Sequence, residues 1–105
     1  MDKVSRILKA IGLPFAYHHF SEKKPPSIPY ICYLLPSSDN FSADGRVYYK
    51  KNFVHIELYT DRKDILAEQK VETVLNGFDV FYEKSQVWIE SEKLYQTLYI
   101  FEMEV

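Results

Sequence analysis

An α+β fold is predicted, with an antiparallel or mixed sheet of about five to six strands, two helices packed on one face, and the order α-β-β-β-α-β-β-β. Three observations point there. Apolar residues recur at helical spacing in two separate segments, alternation with a period near two dominates the rest, and the connections are short enough for antiparallel pairing. A length of 105 residues fits one domain, 1–105, with one core.

The first helix is read from Val4, Ile7, Leu8 and Ile11, with Asp2 as N-cap, Gly12 past its end and Pro14 preventing continuation. Phe15 to Phe20 then reads as a strand, since its aromatic residues recur with a period near two. Ser21 to Pro29 carries three prolines and reads as a loop, because proline supplies no ladder donor. Tyr30 to Leu35 is continuously apolar, as in a strand covered on both faces, and Pro36 ends it.

Pro36 to Gly45 has the Ser, Asp, Asn and Gly content of an exposed excursion, with Asp44-Gly45 as its tight turn. Val47 to Thr60 is one long strand in which Val54, Ile56 and Leu58 point one way, and Phe53, His55, Glu57 and Tyr59 the other. Thr60 or Asp61 is the expected cap of a second helix reaching about Asn76, with Leu66, Lys70, Val74 and Ile65, Val71, Leu75 giving an apolar stripe interrupted once, at Lys70. Three strands are expected after it: Val80 to Tyr82, Val87 to Ile89 and Leu94 to Met103, with a turn at Glu83 to Gln86. In the last of these, Thr97, Tyr99, Phe101 and Met103 share one face while Leu98 and Ile100 share the other, so the sheet needs a cover on both sides.

Composition narrows the functions. A formal net charge of −2 with interspersed signs offers no basic face to displace phosphate counterions, so nucleic acid is not an expected partner. No stretch is long and apolar enough to span a bilayer, and the N-terminus lacks the apolar core of a signal peptide, so neither a membrane nor a secretory role is expected. Cys32 stands alone between Ile31 and Tyr33, which excludes an internal disulfide and predicts an inert buried thiol in a reducing cytoplasm. The aromatic share of 16%, almost all Tyr and Phe, suits both strands and protein interfaces.

Catalytic constellations are thin. His55 and Glu57 share a strand face and, with His18 or His19, would make the sketch of a metal site and a small metal-dependent enzyme, but no further ligand spacing supports the set. On a strand, His18 and His19 would point to opposite faces, one buried and one exposed. No Gly-rich phosphate loop or nucleophile elbow is present, and the expectation is a non-enzyme with no catalytic, cofactor-binding or metal residues.

Several blocks of the sequence resemble a family of small prophage proteins from Gram-positive bacteria. They are Gly12-Leu13-Pro14-Phe15-Ala16-Tyr17, Tyr30 to Leu35 with Ser38-Asp39-Asn40-Phe41 and Ala43-Asp44-Gly45, His55-Ile56-Glu57-Leu58-Tyr59-Thr60-Asp61, and Val87-Trp88-Ile89-Glu90-Ser91-Glu92-Lys93-Leu94-Tyr95. Such proteins look like the tail-terminator or head-to-tail joining proteins of long-tailed phages, which form hexameric rings. The resemblance implies a virion assembly subunit, a homo-oligomeric ring that meets phage tail or head-completion proteins, made in the host cytoplasm and carried in the virion. Interface candidates are then Phe41, Phe53, Tyr59, Trp88 and Tyr95, each with a core role as the competing assignment. A monomeric peptide-binding or protein-binding module of a prophage, taking a strand at its sheet edge, is the alternative.

Overall fold

A computed structural model describes the backbone of residues 3–20, 26–35, 38–43 and 46–104, and the side chains of 3–20, 26–35 and 53–103. Among these residues eight elements follow one another: α1 (Lys3–Ile11), β1 (Phe15–Tyr17), β2 (Tyr30–Leu34), β3 (Ser38–Ala43), β4 (Arg46–Thr60), α2 (Ile65–Gly77), β5 (Glu83–Ile89) and β6 (Leu94–Glu104). The fold is α+β, with two helices and a mixed sheet. Among the described residues, its six strands run in the order β1-β2-β4-β6-β5, with β3 added to β4 off that path, and of their pairs only β1–β2 is parallel.

The helix-side core is the one the alternation predicts. Val54, Ile56 and Leu58 of β4 and Thr97, Tyr99, Phe101 and Met103 of β6 are buried on one face of the sheet. Val4, Ile7, Leu8 and Ile11 of α1 and Ala67, Val71 and Leu75 of α2 join the same apolar cluster. Fully burying each Val, Ile or Leu here is worth about 1.5–3 kcal/mol, so β4, which supplies three such residues, and the helices that cover them stabilise one another. Gly12, at φ 81, occupies the left-handed position that ends α1, a conformation glycine adopts without a Cβ penalty.

Four details differ from the sequence reading. The stretch 38–43, expected to be an excursion, is β3, paired antiparallel to β4; backbone pairing to a long neighbouring strand overrides its turn-like composition. The tight turn placed at Asp44-Gly45, the N-cap at Asp2 and the strand end at Pro36 lie outside the described residues. After α2 there are two strands, not three. Glu83 to Gln86 is the first half of β5, whereas Val80 and Tyr82 pack on the core from an irregular segment.

The second helix also starts later than expected. Asp64 is its N-cap, accepting from the Ala67 N–H at 3.1 Å, because β4 keeps its ladder to Thr60 and 61–63 make the connection. Its inward face is accordingly Ala67, Glu68, Val71 and Leu75, while Ile65 and Leu66 are exposed, Leu66 by 74%. Finally, the chain leaves β1 after Tyr17: His18 adopts φ 66, and both His18 and His19 are exposed, not one in and one out.

Candidate functional site

The helices cover one face of the sheet. On the other, even-numbered positions of β2 and β6 alternate into register with odd-numbered positions of β4 and β5: Leu34 with His55, His55 with Ile100, Glu57 with Leu98, Tyr59 with Gln96, and Glu83 with Ile100. Among the described residues, no helix lies over these positions. Phe53, His55, Glu57, Tyr59, Leu98 and Ile100 are half-buried, and Val87 is exposed by 52%, which leaves apolar surface in contact with water.

A polar and aromatic cluster organises the β2 side of this open face. Tyr59 donates its hydroxyl proton to Glu57 Oε1 at 2.9 Å and accepts from Gln96 Nε2 at 2.8 Å. Tyr30 stacks on Tyr59, with ring centroids 5.2 Å apart, and Phe20 meets Tyr30 edge-on. Burial first, and then the neighbouring Glu57 charge, hold the Tyr59 phenol above its ordinary range even though Gln96 works the other way. Cys32 is buried here, on the open face and not in the helix-side core, and burial followed by Glu57 raises its thiol above the usual value. A thiol held protonated is a poor nucleophile, in line with the inert role expected for it.

The charge of the open face is one-sided. Among its described positions on β2, β4 from Phe53 onward, β5 and β6 stand the carboxylates of Glu57, Glu83 and Glu102, and no Lys or Arg. A depression of about 280 Å³ opens at its end, lined by Phe53, Phe81, Tyr82 and Ile100 with Glu83 and Glu102. The opposite, helix-side face of β5 carries the basic group. Lys84 pairs with Glu68 at 2.7 Å and Glu72 at 2.6 Å, while Gln86 donates to Glu68 and to Thr97, tying the edge strand to α2.

The candidate contact residues separate into three places. Phe53 and Tyr59 lie on the open face. Trp88 and Tyr95 stand opposite each other on the helix-side face, ring centroids 4.9 Å apart, with Trp88 44% exposed and its indole N–H donated to Glu90. Phe41 belongs to β3 where the β3–β4 register shifts, and its side chain lies outside the described residues. Phe81 was missed: Val80 and Tyr82 turn toward the core, which drives the residue between them outward until it is 96% exposed. That short inward alternation was visible, but it was read as a strand.

The metal sketch does not assemble. His55 and Glu57 share the open face as expected, but His18 and His19 sit past the end of β1, their Nδ1 atoms 2.9 Å apart. Among the described residues, no three His, Cys, Asp or Glu side chains group closely enough to hold a metal ion. No helix there is long and apolar enough to cross a membrane.

No protein-family model matches the chain, and neither does any curated protein. Among solved structures it is similar to a chain described as "Virion of native gene transfer agent (GTA) particle", with a TM-score of 0.63 and 14% sequence identity over 99% of this chain and 85% of that one. At that identity the likeness is one of fold.

Proposed function

We propose that this chain is a subunit of a phage-type virion, acting by protein–protein association without catalysis, as a tail terminator or head-to-tail joining subunit. The observation that carries this reading is the sheet with helices on one face and a bare, half-apolar face on the other. A surface of that kind in so small a protein is what a neighbouring subunit would cover. The near end-to-end likeness to a chain from a virion particle supports the setting. On this reading the partners are further copies of the chain in a closed ring, a hexamer by the resemblance of its sequence blocks, together with tail or head-completion proteins. The chain would be made in the host cytoplasm and end in the virion.

The second reading, a monomeric module that accepts a strand, is favoured by one observation: among the described residues, β5 is an edge strand with β6 as its one neighbour in the sheet. Light scattering on the purified chain across a wide concentration range, followed by electron microscopy of the heavier fraction, separates the two. A closed ring that Val87→Asp disperses supports the first. A monomer at every concentration that also fails to bind isolated tail tubes or connectors removes it.

A further inference from the structure

Phe81 is held in the open by the chain around it. Gly77 ends α2, and the turn that follows is pinned to the helix: the Phe78 N–H donates to Val74 O at 3.1 Å, the Asp79 N–H to Asn76 O at 3.0 Å and the Val80 N–H to Leu75 O at 3.1 Å. Asp79, at φ 57, reverses the chain. Phe78, Val80 and Tyr82 pack against the core, so the ring between the last two is presented outward, 96% exposed, on a fixed backbone. Within the monomer that ring contributes no burial. A rigidly presented aromatic leaves little ordering for association to impose, which is the character of an interface anchor.

Next to it lies the depression of about 280 Å³ floored by Phe53, Tyr82, Ile100 and Phe101. An apolar cavity of roughly 150 Å³ holds a benzene ring, so the space admits a phenyl group. A second depression, lined by Lys3, also borders Phe81. The first draws on Tyr82 and Glu83, which follow Phe81 in the chain, and the second on Phe78 to Val80, which precede it, so the ring stands between the two. Across the patch the order is therefore Glu83 with its hollow, then Phe81, then Lys3. Lys3 and Glu83 are both exposed, and neither makes an ion pair with another described residue.

We infer that two copies of this chain pair about a two-fold axis running between Phe81 and the adjoining hollow, the Phe81 ring of each copy filling the hollow of the other and Lys3 of each meeting Glu83 of the other. Self-complementarity selects a second copy as the occupant, because a two-fold contact needs one patch to carry both halves of every interaction. Ring and hollow are the apolar halves, Lys3 and Glu83 the charged ones. The rotation that seats the ring also carries Lys3 across to the Glu83 rim.

The contact sits at one end of the sheet. Glu83 is level there with Ile100, four positions along β6 from Gln96, which is level with Tyr59 and Val87. The pair thus goes beyond the ring reading and stands apart from it. Where both exist, a two-fold contact joins closed rings back to back.

Sedimentation equilibrium on the chain carrying Val87→Asp separates the pair from any ring built through the middle of the open face. A monomer–dimer equilibrium is expected. Phe81→Ser should weaken it about a hundredfold, since the symmetric contact loses two buried rings and each is worth roughly tenfold. Lys3→Glu and Glu83→Lys should each weaken it several-fold, and the two changes in one chain should restore it, because the exchanged charges meet again across the axis. Phe81 is exposed, so its replacement leaves the fold intact, and an unchanged urea midpoint checks this. A dimer as tight with Phe81→Ser as without it, or a charge exchange that restores nothing, overturns the pair. So does a chain that is monomeric at every concentration. The ring is read separately, from a larger species of the wild type that Val87→Asp disperses, so either idea can fail alone.

Discussion

The ammonium of Lys84 lies 2.7 Å from the carboxylate of Glu68, joining the edge strand of the sheet to the helix above it. Glu68 is only 3% exposed, and it also accepts from Lys63 and Gln86, so its charge is compensated from three directions. Replacing Lys84 by Met keeps the aliphatic stem but removes that partner from a buried carboxylate. The expected loss is about 1–2 kcal/mol, read as a lower urea midpoint with an unchanged slope.

The same cluster sets an acid limit. Burial alone would raise the Glu68 carboxyl, but hydrogen bonds from Lys84, Lys63 and Gln86 outweigh it and hold the group below the usual carboxylate range. A carboxyl depressed in the folded state contributes stability above its unfolded pKa and loses it as pH falls through the folded one. The urea midpoint should therefore decline as pH drops below about 4.5, and Glu68→Gln should flatten that decline while lowering stability at neutral pH.

Lys84 provides the alkaline counterpart. Burial disfavours its charge, yet Glu68 and Glu72 outweigh burial and raise the ammonium above its ordinary value. Its contribution is complete below the unfolded pKa and is lost as pH rises through the folded one, so Lys84→Met should narrow its stability deficit against the wild type above about pH 10.5. A deficit that persists unchanged at that pH would assign the loss to packing of the stem and not to charge.

The start of α2 gives a local test. Asp64→Ala removes the acceptor of the Ala67 N–H and should cost about 1 kcal/mol. Replacing Asp61, the cap expected from sequence, should cost less than about 0.5 kcal/mol, because it lies in the exposed connection before the helix. Thermal denaturation of both variants decides between the two positions.

Two leucines separate core from surface. Leu58, fully buried under the helices, should lose about 2–5 kcal/mol on change to Ala, whereas Leu66→Ala should lie within about 0.5 kcal/mol of the wild type. Leu66 is the instructive failure of periodicity. In the sequence it completes a stripe with Val74, but the inward face of α2 is fixed by Glu68, a charged residue whose burial depends on Lys63, Lys84 and Gln86.

What could be read from sequence was whatever one segment specifies alone. The α1 stripe from Val4 to Ile11, and the alternation of Val54, Ile56 and Leu58 against Phe53, His55, Glu57 and Tyr59, are local patterns, and both are realised. What escaped depends on distant partners. Ser38 to Ala43 becomes a strand only because Arg46 to Asn52 lies beside it. Glu83 to Gln86 looks like a polar turn until Lys84 and Gln86 meet Glu68 of α2. The open face was anticipated as a second sticky side in Leu98 and Ile100, but its one-sided charge appears only when Glu57, Glu83 and Glu102, from three strands, are brought together.

The strand order also governs how the protein is made. Because β6 lies between β4 and β5, although it follows both in the chain, β5 has no sheet partner and one side of β4 stays bare until β6 has left the ribosome. The nascent chain must carry that open ladder through its synthesis, and the sheet closes as β5 and β6 arrive as a single hairpin. Slowing translation just before Leu94 should therefore lengthen exposure to chaperones, and a stall there should leave a chain that adds the strands of other copies in place of its own.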